Sequence, residues 1–425
     1  MDPQSSQLDV ESLIEGSKQH RNTTQKRRAR LGLGVSLGVT LTWIVYVTVA
    51  GHWDRVIDNW ASGITMIFGS FVAGSTPQGG GAVAFPVFTK VLEIPSEVAR
   101  TFSLSIQTIG MGAASLGILI NRRSVDVRAI VIAAPASIAG FLLGYLLLVD
   151  QEKPFGPSLL PGPYVKVTFT IIVATMAFVT YLGYRVQLIE RRESIPRENL
   201  RVVAVITVCG FAGGITSVLV GSGADVFVYM AVVSLIGLGP RVGVATSVVV
   251  MTLVSIVGLI LLGVADRQLG VELSADSTQV LALDGRGIRT TADGLRFATA
   301  GIAPEAARFD LFGLWLAAVP VVAWGAPLGS AVSSRLTDRQ LVKFVVALAI
   351  VEFVSTLIFL DEIRTNPALA LFGVLTLVAS FTALWLLTKH RHRLLGLPTV
   401  DLARSVTRQA IDVGPRAAQH LGEDR

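Results

Sequence analysis

The chain has 425 residues, of which 52% are hydrophobic and 16% charged, and its mean hydropathy is +0.62. A soluble protein of this length carries appreciably more charge, so the composition excludes an ordinary globular protein and places most of the chain in lipid. The net charge of +6 does not indicate a nucleic-acid partner, because the basic residues fall in short loops and tails instead of on one soluble face.

Nine apolar runs recur along the chain, each near or above the roughly 20 residues that cross a bilayer. They are residues 31–50, 98–120, 129–149, 165–184, 202–220, 242–265, 311–330, 344–360 and 368–388. They predict an all-α, polytopic helical membrane protein. Because the first 30 residues are polar and end in a basic cluster, we expect the first run to be an uncleaved anchor and the amino terminus to be cytoplasmic.

Two glycine-rich stretches interrupt the apolar pattern. The first is GSTPQGGGAVAFPVF (residues 74–88), and the second carries a Gly-Gly pair at Gly213 and Gly214 followed by Gly-Ser-Gly at 221–223. If residues 61–92 and 202–238 are re-entrant, each entering and leaving the membrane by the same face, every strongly basic loop falls in the cytoplasm, as the positive-inside rule favours.

This topology makes the two halves of the membrane domain, residues 31–184 and 202–388, inverted repeats. It also predicts a cytoplasmic tail (1–30), a cytoplasmic linker (185–201), an external loop (266–310) and a second cytoplasmic tail (389–425). Inverted repeats with broken helices that meet near the midplane are typical of secondary transporters.

The two breaks predict an anion-binding site. Irregular backbone at membrane depth needs polar surroundings, and a half-helix that begins at a break presents free N–H groups and the positive end of its dipole. The candidate ligand residues are Thr76, Gln78, Gly79, Gly80, Gly81, Arg100, Ser103, Gln107, Gly221, Ser222, Gly223, Arg241, Thr246 and Ser247. The alternatives are that the glycines serve helix packing, that the hydroxyl groups bond to their own helices, and that the two arginines reach the lipid headgroups.

Two acidic residues are candidates for ion coupling, with protons as the expected ion. Asp225 lies in the first turn after the second break, where a carboxylate also gains from the helix dipole, and Glu352 is the acid deepest in an unbroken run. All five histidines lie in flanks and the single cysteine, Cys209, is isolated. The sequence therefore predicts no metal, no cofactor and no enzyme activity.

At these residues the chain resembles the TauE/SafE family of bacterial membrane proteins, which is named for sulfite export. A glycine-rich break, then an apolar stretch, then a helix opening with alanine and a Thr/Ser pair occurs twice: GGGAVAFPVF with ARTFSLSIQ, and GSGADVF with VATSV. The resemblance covers roughly residues 63–359. The chain departs from it where Thr101 and Ser103 are separated, and where Gly-Ser-Gly and Asp225 replace three glycines.

The resemblance implies a secondary transporter of the cell membrane, more often an exporter, for sulfite, thiosulfate or a small organosulfonate. An anion channel and a carrier of another small oxyanion or carboxylate stay open as alternatives, since a channel would use the same helix ends along a continuous pore.

Overall fold

The computed structural model describes residues 31–92, 94, 96–149, 161–185, 192, 194–196, 199–265, 269, 271–273, 280–282, 310–360 and 362–396. The predictions for the amino-terminal tail, for most of the linker 185–201 and the loop 266–310, and for the chain beyond residue 396 lie outside the described residues.

The described chain is built from helices that pack together in a bundle. In chain order they are α1 (Leu31–Ala50), α2 (Trp53–Asp58), α3 (Trp60–Ser75), α4 (Gly81–Lys90), α5 (Ser96–Ile120), α6 (Val127–Leu148), α7 (Gly162–Arg185), α8 (Leu200–Val220), α9 (Ala224–Tyr229), α10 (Pro240–Gly258), α11 (Leu311–Ser333), α12 (Asp338–Phe359), α13 (Glu362–Thr365), α14 (Pro367–Lys389) and α15 (Arg391–Leu395). Two π-helical segments, Met230–Leu235 and Leu259–Ala265, extend α9 and α10. Two short strands, β1 (Val271–Leu273) and β2 (Val280–Ala282), pair antiparallel.

Nine helices of the described part are long and apolar enough to cross a membrane: α1, α5, α6, α7, α8, α10 with its extension, α11, α12 and α14. They confirm the prediction of an all-α, polytopic membrane protein. The helices α1 and α14 are peripheral, because only 11% of each apolar window is buried.

Side-chain caps set several helix starts. Asp126 accepts a hydrogen bond from the backbone of α6, Asn199 from α8 and Asp310 from α11. Such caps satisfy N–H groups that the first turn of a helix leaves without partners.

The first break separates α3 from α4. The helix ends at Ser75, Gly79 has a φ of 67°, and α4 begins at Gly81. With 10 residues, α4 is about 15 Å long and too short to cross a bilayer.

The second break separates α8 from α9. Gly221 ends α8 in the left-handed conformation with a φ of 83°, and Gly223 has a φ of 151°, which disfavours any residue with a Cβ. The re-entrance of both segments stays a prediction.

The expected interruption at Gly213 and Gly214 is wrong, because α8 runs unbroken through both residues. These glycines serve close packing instead. A Cβ at Gly214 would overlap the carbonyl oxygen of Ser137 on α6, and one at Gly213 would lie 2.8 Å from the Cα of Ala224. Small residues that let backbones touch are typical of membrane helix contacts.

Two pairs of helices pack especially closely. The helix α3 packs on α11, where a Cβ at Gly74 would overlap the Ala326 carbonyl oxygen. The helix α8 packs on α6, where a Cβ at Gly140 would overlap the Phe211 carbonyl oxygen. Each helix that leads into a break therefore packs against a long helix of the other half.

Candidate functional site

The second break is held in the interior of the protein by side chains of α5. Ser103 Oγ donates to the Gly221 carbonyl oxygen at 3.0 Å, and Gln107 Nε2 donates to the same oxygen at 2.8 Å and to Ser103 Oγ at 2.7 Å. All three residues are buried. Two predicted site residues of the first half therefore hold the first glycine of the second break.

The second break also contacts the first break directly. Ser222 Oγ lies 3.4 Å from the Gln78 carbonyl oxygen and 3.3 Å from Asp225 Oδ1. A Cβ at Gly79 would overlap Asp225 Oδ2 and would lie 2.8 Å from Ser222 Oγ. The absence of a side chain at Gly79 is what allows the two segments to touch.

The second half-helix does not present the free N–H groups that the sequence predicts for an anion. The N–H groups of Gly223 and Val226 donate to Asp225 Oδ1 at 3.2 and 3.0 Å, and Ala224 N–H donates to Ser217 Oγ at 2.9 Å. The carboxylate of Asp225 therefore occupies this helix terminus, because it accepts the hydrogen bonds that a bound anion would otherwise accept.

The first break keeps donors available. Gln78 N–H donates to Thr76 Oγ1 at 3.3 Å, and the Gln78 side chain donates to the Val345 carbonyl oxygen on α12 at 3.1 Å. The N–H groups of Gly79 and Gly80 form no hydrogen bond with another described residue, although both glycines are buried.

Two candidate hydroxyl groups bond to their own helices, as the alternative interpretation predicts: Thr76 Oγ1 donates to the Val72 carbonyl oxygen and Ser247 Oγ to that of Val244. Other hydroxyl groups on the helices after the breaks, those of Ser105, Thr108 and Thr252, do the same. Thr246 Oγ1 accepts from Asp126 N–H at 3.0 Å. Thr246 therefore fixes the loop before α6, and its contacts do not place it at the breaks.

The two candidate arginines have different positions. Arg100 is buried, with 1% of its surface exposed, so it neither faces a vestibule nor reaches the headgroups; its backbone packs behind Gly221. Arg241 is half exposed and its Nε donates to Asp338 Oδ1 at 2.9 Å.

Glu352 lies apart from the contact between the breaks. Its Oε1 accepts from Thr170 Oγ1 on α7 at 3.1 Å, and Thr170 Oγ1 lies 3.0 Å from Thr356 Oγ1. A cavity of about 230 Å³ has both Glu352 and Gln78 in its walls.

A larger cavity, which we call the arginine cavity, occupies one end of the bundle. Its volume is about 840 Å³, and its lining includes Arg122, Arg123, Arg192 and Arg241. Its lining also includes Gly74, which lies two residues before the first break. The arginine cavity therefore connects the end of the bundle to the last turn of α3.

The backbone and its neighbours hold these arginines in place. Arg123 donates to the carbonyl and hydroxyl oxygens of Ser330 on α11, and Arg192 pairs through its backbone with Gly237 and Gly239. Burial, and then the like charge of Arg335, lower the pKa of Arg123, but a guanidinium remains protonated at neutral pH. The crowding of cations favours an anion in this space.

A comparison with protein-family models matches residues 61–356 to the family described as sulfite exporter TauE/SafE. The chain belongs to the TauE/SafE family. Searches of the curated proteins and of the solved structures give no match.

Membership in TauE/SafE makes the chain a multi-pass membrane protein of a transporter family and not an enzyme. It confirms the resemblance seen in the sequence. The matched residues hold both breaks and most of the lining of the arginine cavity.

Sequence reasoning missed Arg122, Arg123 and Arg192 in this TauE/SafE protein. It assigned the basic loops to topology only, since the positive-inside tendency explains them without any ligand. The usable signal was that three separate segments place arginines at the same predicted end of the bundle.

The substitution Arg122→Asn should raise the KM for a transported anion roughly threefold to tenfold at low ionic strength. The cavity loses a charge, while asparagine tolerates the φ of 48° that Arg122 adopts. Added salt should diminish the difference, because it screens charges at this range. The matched control is Arg201→Asn, an exposed arginine outside the cavity lining. An equal rise in KM in both variants would contradict a local role.

Proposed function

We propose that this TauE/SafE protein is a secondary transporter, and an exporter, of a small sulfur-containing anion such as sulfite, thiosulfate or an organosulfonate. It works by alternating access around a site where the two broken segments meet, in the cell membrane, with both termini in the cytoplasm. The family match supports transport of a sulfur anion.

The contact between the breaks is the observation that carries the proposal. Ser222 Oγ of the second break lies 3.4 Å from the Gln78 carbonyl oxygen of the first break, about 140 residues earlier in sequence. Ser103 and Gln107 on α5 hold the adjacent Gly221 by buried hydrogen bonds. Irregular backbone inside a membrane protein is tolerated only where protein groups or water satisfy its hydrogen bonds. The reciprocal packing of α3 on α11 and of α8 on α6 supports a relation by inverted repeats.

The arginine cavity supports an approach route for the anion. It is open at the end where the basic loops lie, which we assign to the cytoplasm, and it reaches the last turn before the first break. In this proposal the anion is collected by the arginines and then bound by the N–H groups of Gly79 and Gly80. Backbone N–H groups bind an oxyanion without the strength of a buried arginine, which suits release.

The test is transport by the purified protein in liposomes. Labelled sulfite and a labelled small sulfonate are offered with sulfate and chloride as competitors, and with or without the same anion loaded inside. We expect saturable uptake that internal substrate accelerates, because a carrier returns faster when it is loaded.

Other outcomes would assign a different function. Conductance without acceleration by internal substrate would indicate an anion channel. Flux of a carboxylate or of another oxyanion, without flux of sulfur anions, would keep the carrier and replace the substrate.

A further inference from the structure

The side-chain amide of Gln107 has a fixed orientation. The Gly221 carbonyl oxygen only accepts, and Ser103 Oγ uses its proton on that carbonyl oxygen, so both need a donor from Gln107. The NH2 group must therefore face Gly221 and Ser103. Gln107 Oε1 then points to the other side, where it would lie 3.4 Å from a Cβ at Gly79.

Asp225 points an oxygen toward the same place. Its Oδ1 accepts from Ser222 Oγ and from the N–H groups of Gly223 and Val226. Its Oδ2 would be overlapped by the same Gly79 Cβ. Asp225 is fully buried, and neither Asp225 Oδ2 nor Gln107 Oε1 has a hydrogen-bond partner among the described residues.

Two buried acceptors without donors, brought together from different halves of the chain, are unfavourable unless a proton joins them. We propose that Asp225 carries a proton on Oδ2 and donates it to Gln107 Oε1, and that this proton is the ion coupled to transport. The inference rests on the proposed function and adds the coupling ion, its site and its partner residue.

A proton fits this place better than a metal cation. Gly79 packs against both oxygens, since a Cβ there would overlap Asp225 Oδ2 and lie 3.4 Å from Gln107 Oε1. Little room remains for the shell of oxygen ligands that a hard cation requires. A proton needs one donor and one acceptor, which Asp225 and Gln107 supply.

Among the described residues, Asp225 forms no ion pair with a basic side chain. The charged or titratable side chains on α9 and on the packed helices α5, α8 and α10 include Arg100, Arg201, Cys209, Tyr229 and Arg241. In the described part of the chain, the hydrogen-bond partners of Asp225 are limited to Ser222, Gly223 and Val226.

The proton links binding to conformation. With the proton bound, the Asp225–Gln107 hydrogen bond ties the second break to α5, and Gly79 of the first break packs against both oxygens. Without it, a carboxylate oxygen faces a carbonyl oxygen, and the repulsion favours separation of the two segments. Proton binding therefore shifts the equilibrium toward the arrangement in which the segments touch, but the segments can separate with the donor in place.

The first test uses a small sulfonate, whose charge does not change across the neutral pH range, so any pH dependence belongs to the protein. Wild-type protein should accumulate the sulfonate when a pH gradient is imposed. Asp225→Asn keeps a donor toward Gln107 permanently, so it should exchange internal for external sulfonate but lose accumulation driven by the gradient. Glu352→Gln, which changes another buried acid, should keep the accumulation driven by the gradient.

A second pair of variants tests Gln107, the proposed hydrogen-bond partner of Asp225. Gln107→Met removes the acceptor, so the proton is held less tightly and the pH of half-maximal flux should fall by about one unit, as expected for a lost hydrogen bond. Ser103→Ala removes a contact to Gly221 that does not face Asp225, so its pH of half-maximal flux should not move, whatever its rate.

A third readout does not need transport. In detergent, the thermal stability of the wild-type protein should be higher at low pH and fall as the pH rises, because the bound proton stabilises the contact between the breaks. Asp225→Asn should lose this pH dependence.

Three results would overturn the inference: accumulation driven by the gradient in Asp225→Asn, an unshifted pH of half-maximal flux in Gln107→Met, or the same pH dependence of stability in wild type and Asp225→Asn. Exchange of sulfonate by the wild type without any effect of the gradient would reject the coupled proton and leave the proposed transporter standing. Absence of flux with a pH-dependent stability that Asp225→Asn loses would reject both the proposed transport and the coupling, and would leave only a protonated Asp225 beside Gln107.

Discussion

Replacing Gly79 by alanine is expected to reduce transport roughly 100-fold while the protein still inserts and folds. The added Cβ would overlap Asp225 Oδ2 and approach Ser222 Oγ to 2.8 Å, at a residue whose φ is 67°. Overpacking costs roughly 1–3 kcal/mol, and a left-handed backbone costs a non-glycine residue roughly 1–2 kcal/mol. The state in which the breaks touch loses most of its population, and initial rates of sulfonate exchange in liposomes would measure this.

Two other glycines provide controls for Gly79→Ala. At the adjacent Gly80 a Cβ would lie 3.3 Å from the Ala73 Cβ, which a small shift can accommodate, and at Gly117 on α5 it would meet open space. We expect a mild effect for Gly80→Ala and none for Gly117→Ala. If Gly79→Ala exchanged sulfonate at the wild-type rate, the contact between the breaks would not be part of the transport cycle.

The second large effect concerns folding and not transport. Replacing Gly140 by valine should destabilise the protein by about 3 kcal/mol or more, because the side chain would overlap the Phe211 carbonyl oxygen and backbone cannot move aside as a flexible side chain can. The yield of monodisperse protein in detergent and its melting temperature are the measurements.

Gly117→Val is the matched control for Gly140→Val, since it adds the same side chain to a helix where nothing lies within 4 Å of the new Cβ. Its cost should stay below about 1 kcal/mol. Equal loss of stability in the two variants would mean that valine itself, and not the contact between α6 and α8, is responsible.

The architecture was predictable because lipid imposes a simple length rule. All nine apolar runs correspond to helices long enough to cross a membrane. The break after Gly74 was also visible, since proline and three glycines in succession cannot continue a helix comfortably. The Gly213–Gly214 pair misled because a glycine that breaks a helix and one that packs it against a neighbour have the same composition, and only the neighbour distinguishes them.

Only part of the candidate site follows from the sequence. Ser103, Gln107 and Ser222 lie where the breaks meet, whereas Thr246 and Arg241 make their contacts elsewhere. The sequence could not show that Asp225 satisfies the N–H groups of its own helix, or that Gln107 turns its oxygen toward that acid. Those facts depend on side-chain orientation across two halves of the chain. The arginine cavity was hidden for the same reason, because its lining comes from segments far apart in sequence.

The packing of α3 on α11 has a consequence for biosynthesis. The glycine face of α3 is synthesised early, but its partner surface around Ala326 is made only after more than two hundred further residues have been translated. The nascent chain must therefore hold an incomplete surface in the bilayer until the ribosome has nearly finished. Truncated products that stop before α11 would carry that surface exposed, which would make them natural targets for membrane quality control.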